Sequence, residues 1–137
     1  MPPKIPASTL RRLEKSARAA TRSCYAPYSK FRVGAAVLTG SGKIYSGCNV
    51  ENASYGLCNC AERTAVFTAV AASERKITAV VVFTPTPLPT MPCGACRQVI
   101  NEFGPRALVS SVCNSAKRID TTLPALLGEA FGPKSLR

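Results

Sequence analysis

The spacing of apolar and polar residues along this chain predicts three main helices. In the first, four small or aliphatic residues fall on one helical face: Leu10, Leu13, Ala17 and Ala20. The predicted bounds are Ser8 or Thr9, as N-cap, to about Ser23; residues 61–72; Cys93 to about Phe103, ended by Gly104-Pro105; and a short helix over 124–127. The second of these segments, AERTAVFTAVAA, is strongly helical in composition.

Between the helices lie segments rich in β-branched and apolar residues. The predicted strands are Phe31–Leu38, Ile44–Val50, Ile77–Thr84, Ala107–Cys113 and a short one near Arg118–Thr121. The first two flank the turn Thr39–Gly42 and form a hairpin, while four prolines between residues 85 and 92 prevent the third from continuing. This order of elements predicts one sheet with helices on both faces.

Length and composition favour one domain that stays inside the cell. The chain has 137 residues, of which 46% are hydrophobic, enough for one compact core. No apolar run approaches the roughly 20 residues of a membrane span, and the start lacks the layout of a secretory signal. Residues 4–22 are basic with one acid, Glu14, which faintly resembles a transit peptide, but an ordinary basic helix is favoured. We therefore expect a cytoplasmic protein with a flexible arm over 1–7 and one catalytic domain over 8–137.

The formal charge of +11 raises the question of nucleic-acid binding. The basic residues are scattered in sequence and no aromatic residues are interleaved with them. The pattern therefore favours a generally basic surface over a nucleic-acid site.

The chain has seven cysteines and no histidine. The odd count, together with the expected location, argues against a disulfide framework. Without imidazole, a zinc site must use thiolates and carboxylates, and a general acid or base must be Glu, Asp, Lys or Tyr.

Two segments carry the candidate chemistry, Cys60-Ala61-Glu62-Arg63 and residues 92–98 (PCGACRQ). Each opens a predicted helix, where free N–H groups and the helix dipole favour thiolates. The spacing turns Cys93 and Cys96 to one face, and Cys60 supplies a third ligand. Three protein ligands leave a fourth position for water, as in catalytic zinc sites, and Glu62 is the natural proton carrier beside it.

The alternative interpretation makes these cysteines small buried apolar groups. It explains any one of them but not their joint placement.

Arg63 has a predicted role in balancing charge. Three thiolates on Zn²⁺ give a net charge near −1, which weakens the ability of the metal to acidify water. An arginine that donates hydrogen bonds to thiolate sulfur withdraws that charge. Arg63 and Arg97 are both close enough in sequence, and the alternative for either is a solvent-facing helix residue.

These motifs, with three others, resemble those of the small, single-domain, tetrameric cytidine deaminases. The matching stretches are 25–36 (YAPYSKFRVGAA), 47–57 (GCNVENASYGL), 60–65 (CAERTA), 92–98 (PCGACRQ) and 131–133 (FGP). The resemblance extends over most of the chain, roughly residues 8–136. The zinc pattern of three cysteines and a non-ligand glutamate is one already described for zinc deaminases.

The resemblance implies a three-layer α/β/α sandwich with a mixed sheet of about five strands. It implies zinc-dependent hydrolysis of cytidine or deoxycytidine to the uracil nucleoside and ammonia, with one zinc per chain on the three cysteines. Glu62 would move protons between the attacking water, the ring N3 and the leaving amine, and Arg63 would bond to thiolate.

The implied substrate contacts come from several segments and several subunits. Phe31 packs against the pyrimidine, Asn49 and Glu51 hold the sugar 3′-hydroxyl, and Met91 offers a backbone carbonyl to the base amine. Ala61 also belongs to the predicted substrate-binding set. Two further contacts cross subunit interfaces of a homotetramer, with Ala53 and Tyr55 reaching the 5′ side and Phe131 stacking on the base.

The sequence departs from the family pattern at three places and leaves rival functions open. Cys58-Asn59 stands where relatives commonly carry Thr and an aliphatic residue, the loop before Pro92 lacks the usual Asp and Ser, and Gly128 replaces a usual proline. We expect Cys58 to bind no metal. The rivals are a deaminase of a modified cytosine nucleoside or cytosine-containing antibiotic, a nucleic-acid cytosine editor, and a structural zinc module.

Overall fold

A computed structural model describes residues 2–137 and consists of a five-stranded sheet between two layers of helices. The helices are α1 (Ala7–Ala20), α2 (Ala61–Ala71), α3 (Gly94–Phe103) and α4 (Leu123–Leu126). The strands are β1 (Gly34–Thr39), β2 (Ile44–Cys48), β3 (Ile77–Phe83), β4 (Leu108–Val112) and β5 (Arg118–Thr122). Their order is β2-β1-β3-β4-β5, with β3 and β4 parallel and the other pairs antiparallel. The predicted α/β/α sandwich with a mixed sheet is confirmed.

The sheet separates two apolar clusters, because side chains alternate between its faces. On one face, Val80 and Val82 of β3 pack with α2 and with Ile100 of α3. On the other face, Val81 and its neighbours pack with Leu13 and Ala17 of α1. The helix pair α2 and α3 is therefore on the side of the sheet opposite α1.

The start of α1 differs from the prediction. Its N-cap is Pro6, whose carbonyl accepts the N–H groups of Thr9 and Leu10 at 3.0 Å. The predicted cap at Ser8 or Thr9 is therefore wrong, because both residues lie inside the helix. Ile5 packs against the cluster under α1, and the proposed boundary between arm and domain at residue 8 stays a prediction.

The first strand begins three residues later than predicted. Asn49 explains this difference, because its side chain takes up the backbone groups that would extend the strand. Its Nδ2 donates to the Phe31 carbonyl at 2.7 Å, and the Val33 N–H donates to its Oδ1 at 2.9 Å. Phe31 is thereby held at the open end of the sheet.

A glycine lets β2 approach α2 closely. A Cβ atom at Gly47 would lie 2.3 Å from the backbone nitrogen of Ala65 and 2.8 Å from the carbonyl oxygen of Ala61. This contact fixes the depth at which the start of α2 sits against the sheet.

Within residues 2–137, the helices are all too short or too polar to cross a membrane.

Candidate active site

Two helix starts face each other at one end of the sheet. Cys60 is the N-cap residue of α2 and Cys93 is the N-cap residue of α3, both with extended backbone. Neither makes a side-chain capping hydrogen bond. Their thiols are therefore free to meet each other, and Cys96, buried in the first turn of α3, joins them.

The three sulfur atoms form a compact cluster. All three Sγ atoms lie within 4.8 Å of one another, and those of Cys60 and Cys93 are 3.8 Å apart. Soft thiolate donors with no imidazole suit zinc, and three of them leave one tetrahedral position open. Among the described residues, Cys58 lies outside this cluster, and the backbone N–H of Asn52 donates to its sulfur at 3.3 Å.

Arg63 and Arg97 take different positions. A guanidinium nitrogen of Arg63 donates to the Sγ of Cys60 at 3.3 Å, and the Nε of Arg63 is buried without a hydrogen-bond partner among the described residues. Arg97 instead donates to the carbonyls of Pro92 and Leu126 at 2.8 and 3.0 Å. The partly buried positive charge of Arg63 favours a negative partner, and three thiolates on one divalent ion would supply a net charge near −1.

The cluster also alters the acidity of its own members. The pKa of the Cys60 thiol is lowered, because hydrogen bonds from Cys96 and Arg63 stabilise its thiolate. A thiolate is the form that binds metal.

Glu62 lies one residue into α2 with its side chain buried. Burial raises its pKa to about 7, and the neighbouring Cys60 thiolate adds to this effect. A carboxyl group that titrates near neutrality can both accept and return a proton at working pH. The residue therefore has the acidity that a general acid-base catalyst needs.

A cleft of about 260 Å³ opens above these groups. Its lining residues are Ser29, Phe31, Val33, Asn49, Glu51, Cys58, Asn59, Cys60, Ala61, Glu62, Val82, Thr90, Met91 and Cys93. The structure thus brings together five of the predicted substrate contacts with Glu62 and two of the three cysteines of the sulfur cluster. Cys96 and Arg63 are not among the lining residues; Cys96 is buried, and Arg63 contacts the lining through the Cys60 sulfur.

Three predicted contacts lie elsewhere. Ala53, Tyr55 and Phe131 do not line the cleft, and the side chains of Tyr55 and Phe131 are 73% and 60% exposed. The side chains of Gln98 and Asn101 donate to the carbonyl of Phe131 at 2.8 and 3.3 Å, which holds the C-terminal segment against α3. Their predicted roles across subunit interfaces stay predictions.

Sequence reasoning missed Ser29. Its backbone N–H and that of Tyr28 donate to Oε1 of Glu51 at 3.1 and 3.0 Å, and its hydroxyl donates to Oε2. The same hydroxyl oxygen accepts the N–H of Phe31 at 3.0 Å. These bonds lower the pKa of Glu51, chiefly through the Ser29 hydroxyl. A serine hydroxyl can bond to the backbone two residues on, as it does here to Phe31, but nothing local in the sequence indicates the bond to Glu51, which is 22 residues away.

Backbone pairing holds the polar side of the cleft in place. Val50 is bridged to Tyr25 on one side and to Asn59 on the other. The Asn59 pairing uses two hydrogen bonds of 2.9 Å. On the opposite side, the Ser111 hydroxyl donates to the carbonyl of Thr90 at 2.8 Å, which fixes the loop that carries Met91.

Comparisons with known proteins agree with this geometry. A family model described as "Cytidine and deoxycytidylate deaminase zinc-binding region" matches residues 7–112. The chain is 45% identical to the cytidine deaminase of Sporosarcina psychrophila over 91% of this chain and 93% of that protein.

Two solved structures resemble the fold closely. Cytidine deaminase from Burkholderia pseudomallei matches with a TM-score of 0.84 at 50% identity, covering 88% of this chain and 98% of that one. Cytidine deaminase from Mycobacterium tuberculosis matches with a TM-score of 0.79 at 38% identity, covering 90% and 97%.

Proposed function

We propose that this chain, which belongs to the cytidine and deoxycytidylate deaminase family, hydrolyses the exocyclic amine of cytidine and deoxycytidine. The products are uridine or deoxyuridine and ammonia. The observation that carries the proposal is the meeting of three thiols and a buried carboxyl with a pKa of about 7 at one cleft. A water nucleophile and a proton carrier are what this hydrolysis requires.

Cys60, Cys93 and Cys96 would hold one zinc ion per chain. When bound, zinc supplies Lewis acidity that lowers the pKa of water into the neutral range. Arg63, which donates to the Cys60 sulfur, withdraws negative charge from the ligand set and so keeps that acidity high.

Glu62 would carry the protons. Its carboxylate accepts a proton from the attacking water and delivers it to N3 of the pyrimidine. A second proton from the same water then passes through the carboxyl to the amine, which leaves as ammonia. Burial favours the protonated form enough for both directions of transfer.

The polar wall of the cleft would hold the sugar. One Nδ2 hydrogen of Asn49 and its Oδ1 are used by the backbone of Phe31 and Val33, so the second Nδ2 hydrogen remains for the 3′-hydroxyl oxygen. Glu51, fixed by Ser29, accepts the hydrogen of that hydroxyl. Phe31 packs on the ring.

At the base, we infer contacts from two backbone groups. The carbonyl of Met91 would accept a hydrogen bond from the exocyclic amine, and Ala61, which also lines the cleft, would contact the base. The loop that carries Met91 is held by the hydrogen bond from the Ser111 hydroxyl to the Thr90 carbonyl.

The decisive experiment replaces Glu62 by Gln in purified, zinc-loaded protein. Gln keeps the shape and removes the base, so zinc content and fold should persist while cytidine turnover falls by at least about 10²-fold. Cys93→Ser is the matched variant and should lose most of the zinc. Near-normal turnover by Glu62→Gln, or full zinc in Cys93→Ser, would refute the assignment.

A substrate panel separates the rival functions. Ammonia release is followed with cytidine, deoxycytidine, blasticidin-type nucleosides and single-stranded DNA. Release from the two simple nucleosides alone supports the proposal. Release only from the modified nucleoside, or only from DNA, would assign the zinc chemistry to one of the rivals.

We further infer a homotetramer with shared clefts that serves pyrimidine salvage in the cytoplasm. The cleft is open, and the exposed side chains of Tyr55 and Phe131 are suited to close the cleft of a neighbouring subunit, as is the exposed Ala53, two residues before Tyr55. Closed symmetry with repeated contacts is the usual assembly of such small chains.

Complementation tests the sharing. Glu62→Ala would inactivate the cleft of the subunit that carries it, whereas Phe131→Ala would weaken the cleft of the neighbouring subunit to which Phe131 contributes. Co-refolding the two variants should restore part of the activity, because some clefts then contain both native residues. Mixed oligomers without any recovery, or a monomer in light scattering, would contradict the model of shared sites.

A further inference from the structure

The fold aligns four basic residues that are separated in sequence. They lie on α1 and the turn that follows it, at spacings of four, three and four residues: Arg11, Lys15, Arg18 and Arg22. This spacing places them on one side of the helix. With Glu14 and Ala19 they line an open groove of about 430 Å³.

The groove keeps a net positive charge after its ion pairs are counted. Glu14 is bonded to Arg118 at 2.8 Å, and Arg118 is also bonded to Asp120 at 2.8 Å. The four basic residues of the groove and Arg118 carry five positive charges, and Glu14 and Asp120 carry two negative charges. The net charge of this group is therefore +3.

One member of the row is already fixed in place. A guanidinium nitrogen of Arg18 donates to the carbonyl of Cys113 at 3.2 Å, and its Cζ lies 4.5 Å from the centre of the Phe83 ring. The side chain loses less freedom on binding than a mobile lysine does. The other three, Arg11, Lys15 and Arg22, are exposed.

The chemistry of the lining selects the class of partner. Its one apolar residue is Ala19, whereas protein interfaces have an apolar, aromatic-rich centre. Membrane-surface helices insert their apolar face, but that face of α1 is buried against the sheet through Leu13 and Ala17. A phosphate backbone requires only cations, and guanidinium groups match phosphate geometry.

We propose that this groove binds the phosphate backbone of nucleic acid without regard to sequence. The helical rise places Arg11 and Arg22 about 16 Å apart, a length over which one duplex strand carries about five phosphates. Because α1 lies on the face of the sheet opposite α2 and α3, a bound strand stays away from the cleft. The site therefore holds the protein on nucleic acid and does not present bases for deamination.

Fluorescence anisotropy with a labelled 20-nucleotide single strand and a 20-base-pair duplex tests the proposal. The variant Arg11→Glu/Lys15→Glu/Arg22→Glu should bind at least about 10-fold more weakly, and the slope of log affinity against log salt should fall by about three. The matched control Arg75→Glu/Arg106→Glu/Lys134→Glu changes the net charge equally at exposed positions away from α1 and should keep most of the affinity. A set of glutamine substitutions at 11, 15 and 22 guards against a helix destabilised by new carboxylates.

Four results would overturn the proposal: no binding by the native protein at 50 mM salt, equal losses in both charge variants, binding only to phosphatidylserine vesicles, or binding only to an acidic peptide. Deamination of free cytidine should be the same in all variants and should not be inhibited by the oligonucleotide. If the native protein itself does not deaminate cytidine, that result would count against the proposed function and not against the nucleic-acid groove.

Discussion

Replacing Gly47 by Ala should damage the site without touching a site residue. Gly47 lies in β2, where the added Cβ would be 2.3 Å from the backbone nitrogen of Ala65 in α2. Both atoms belong to regular elements, so no flexible side chain can move to relieve the contact.

The size of the effect follows from that distance. Restoring ordinary contact at 3.4 Å requires α2 to retreat by about 1 Å. Overpacking of this kind costs about 1–3 kcal/mol of stability. Since Cys60 and Glu62 lie at the start of the same helix, they retreat with it, and a 1 Å misplacement in an active site can lower the rate about 10²-fold.

The assays are thermal unfolding at fixed protein concentration, zinc content, and kcat/KM for cytidine. Gly34→Ala is the matched control, because its Cβ would lie 2.0 Å from the Ala17 carbonyl of α1, on the other face of the sheet. It should lower the melting temperature but keep kcat/KM well below that temperature. Gly128→Ala, with open space around the added atom, should change neither. If Gly47→Ala matches the native protein in stability and kcat/KM, the argument from close packing is wrong.

Three further substitutions test single contacts. Arg63→Ala should lower kcat/KM by about 10-fold with zinc retained or only modestly loosened, since negative charge then stays on the thiolates; an unchanged rate and pH profile would place the arginine outside the chemistry. Ser29→Ala should raise KM more than it lowers kcat, because Glu51 and the backbone of Phe31 lose their shared partner; Ser29→Thr should restore part of the effect, and equal behaviour of the two variants would contradict it. Asn49→Ala should lower both the melting temperature and the affinity for cytidine, because residues 31–33 lose two hydrogen bonds, and a loss of affinity alone would assign Asn49 to the substrate only.

The layers of the fold could be predicted because each main helix and strand has its own pattern of apolar and polar residues, which is readable from a short segment of sequence. The apolar run of β3 and the helical periodicity of α1 agree with the packing that the structure gives them. The predicted end of an element was wrong where a contact with a residue distant in sequence, and not the local residue pattern, decides the backbone conformation. The first strand was predicted from Phe31, but the side chain of Asn49, 16 to 18 residues away, takes its backbone groups.

The centre of the site could be predicted and its support could not. Cys60, Cys93, Cys96 and Glu62 are marked by spacing at two helix starts, and the sulfur cluster follows from that placement. The choice between Arg63 and Arg97 required three-dimensional geometry, since both are close to cysteines in sequence. Ser29 was missed because its partner Glu51 is 22 residues away and only the fold brings them together. The membership of this chain in the deaminase family, predicted from the motifs, is confirmed.

The two cysteines at helix N-cap positions make the protein less stable than its fold allows. Ser, Asp and Asn are the residues that satisfy the first N–H groups of a helix, and replacing such a cap by a non-capping residue costs about 1 kcal/mol. Cys60 and Cys93 occupy these positions without capping. Cys93→Asn should therefore raise the melting temperature of the metal-free protein, and it should also remove one of the three proposed zinc ligands. The uncapped helix starts represent stability given up to keep two thiols available for chemistry.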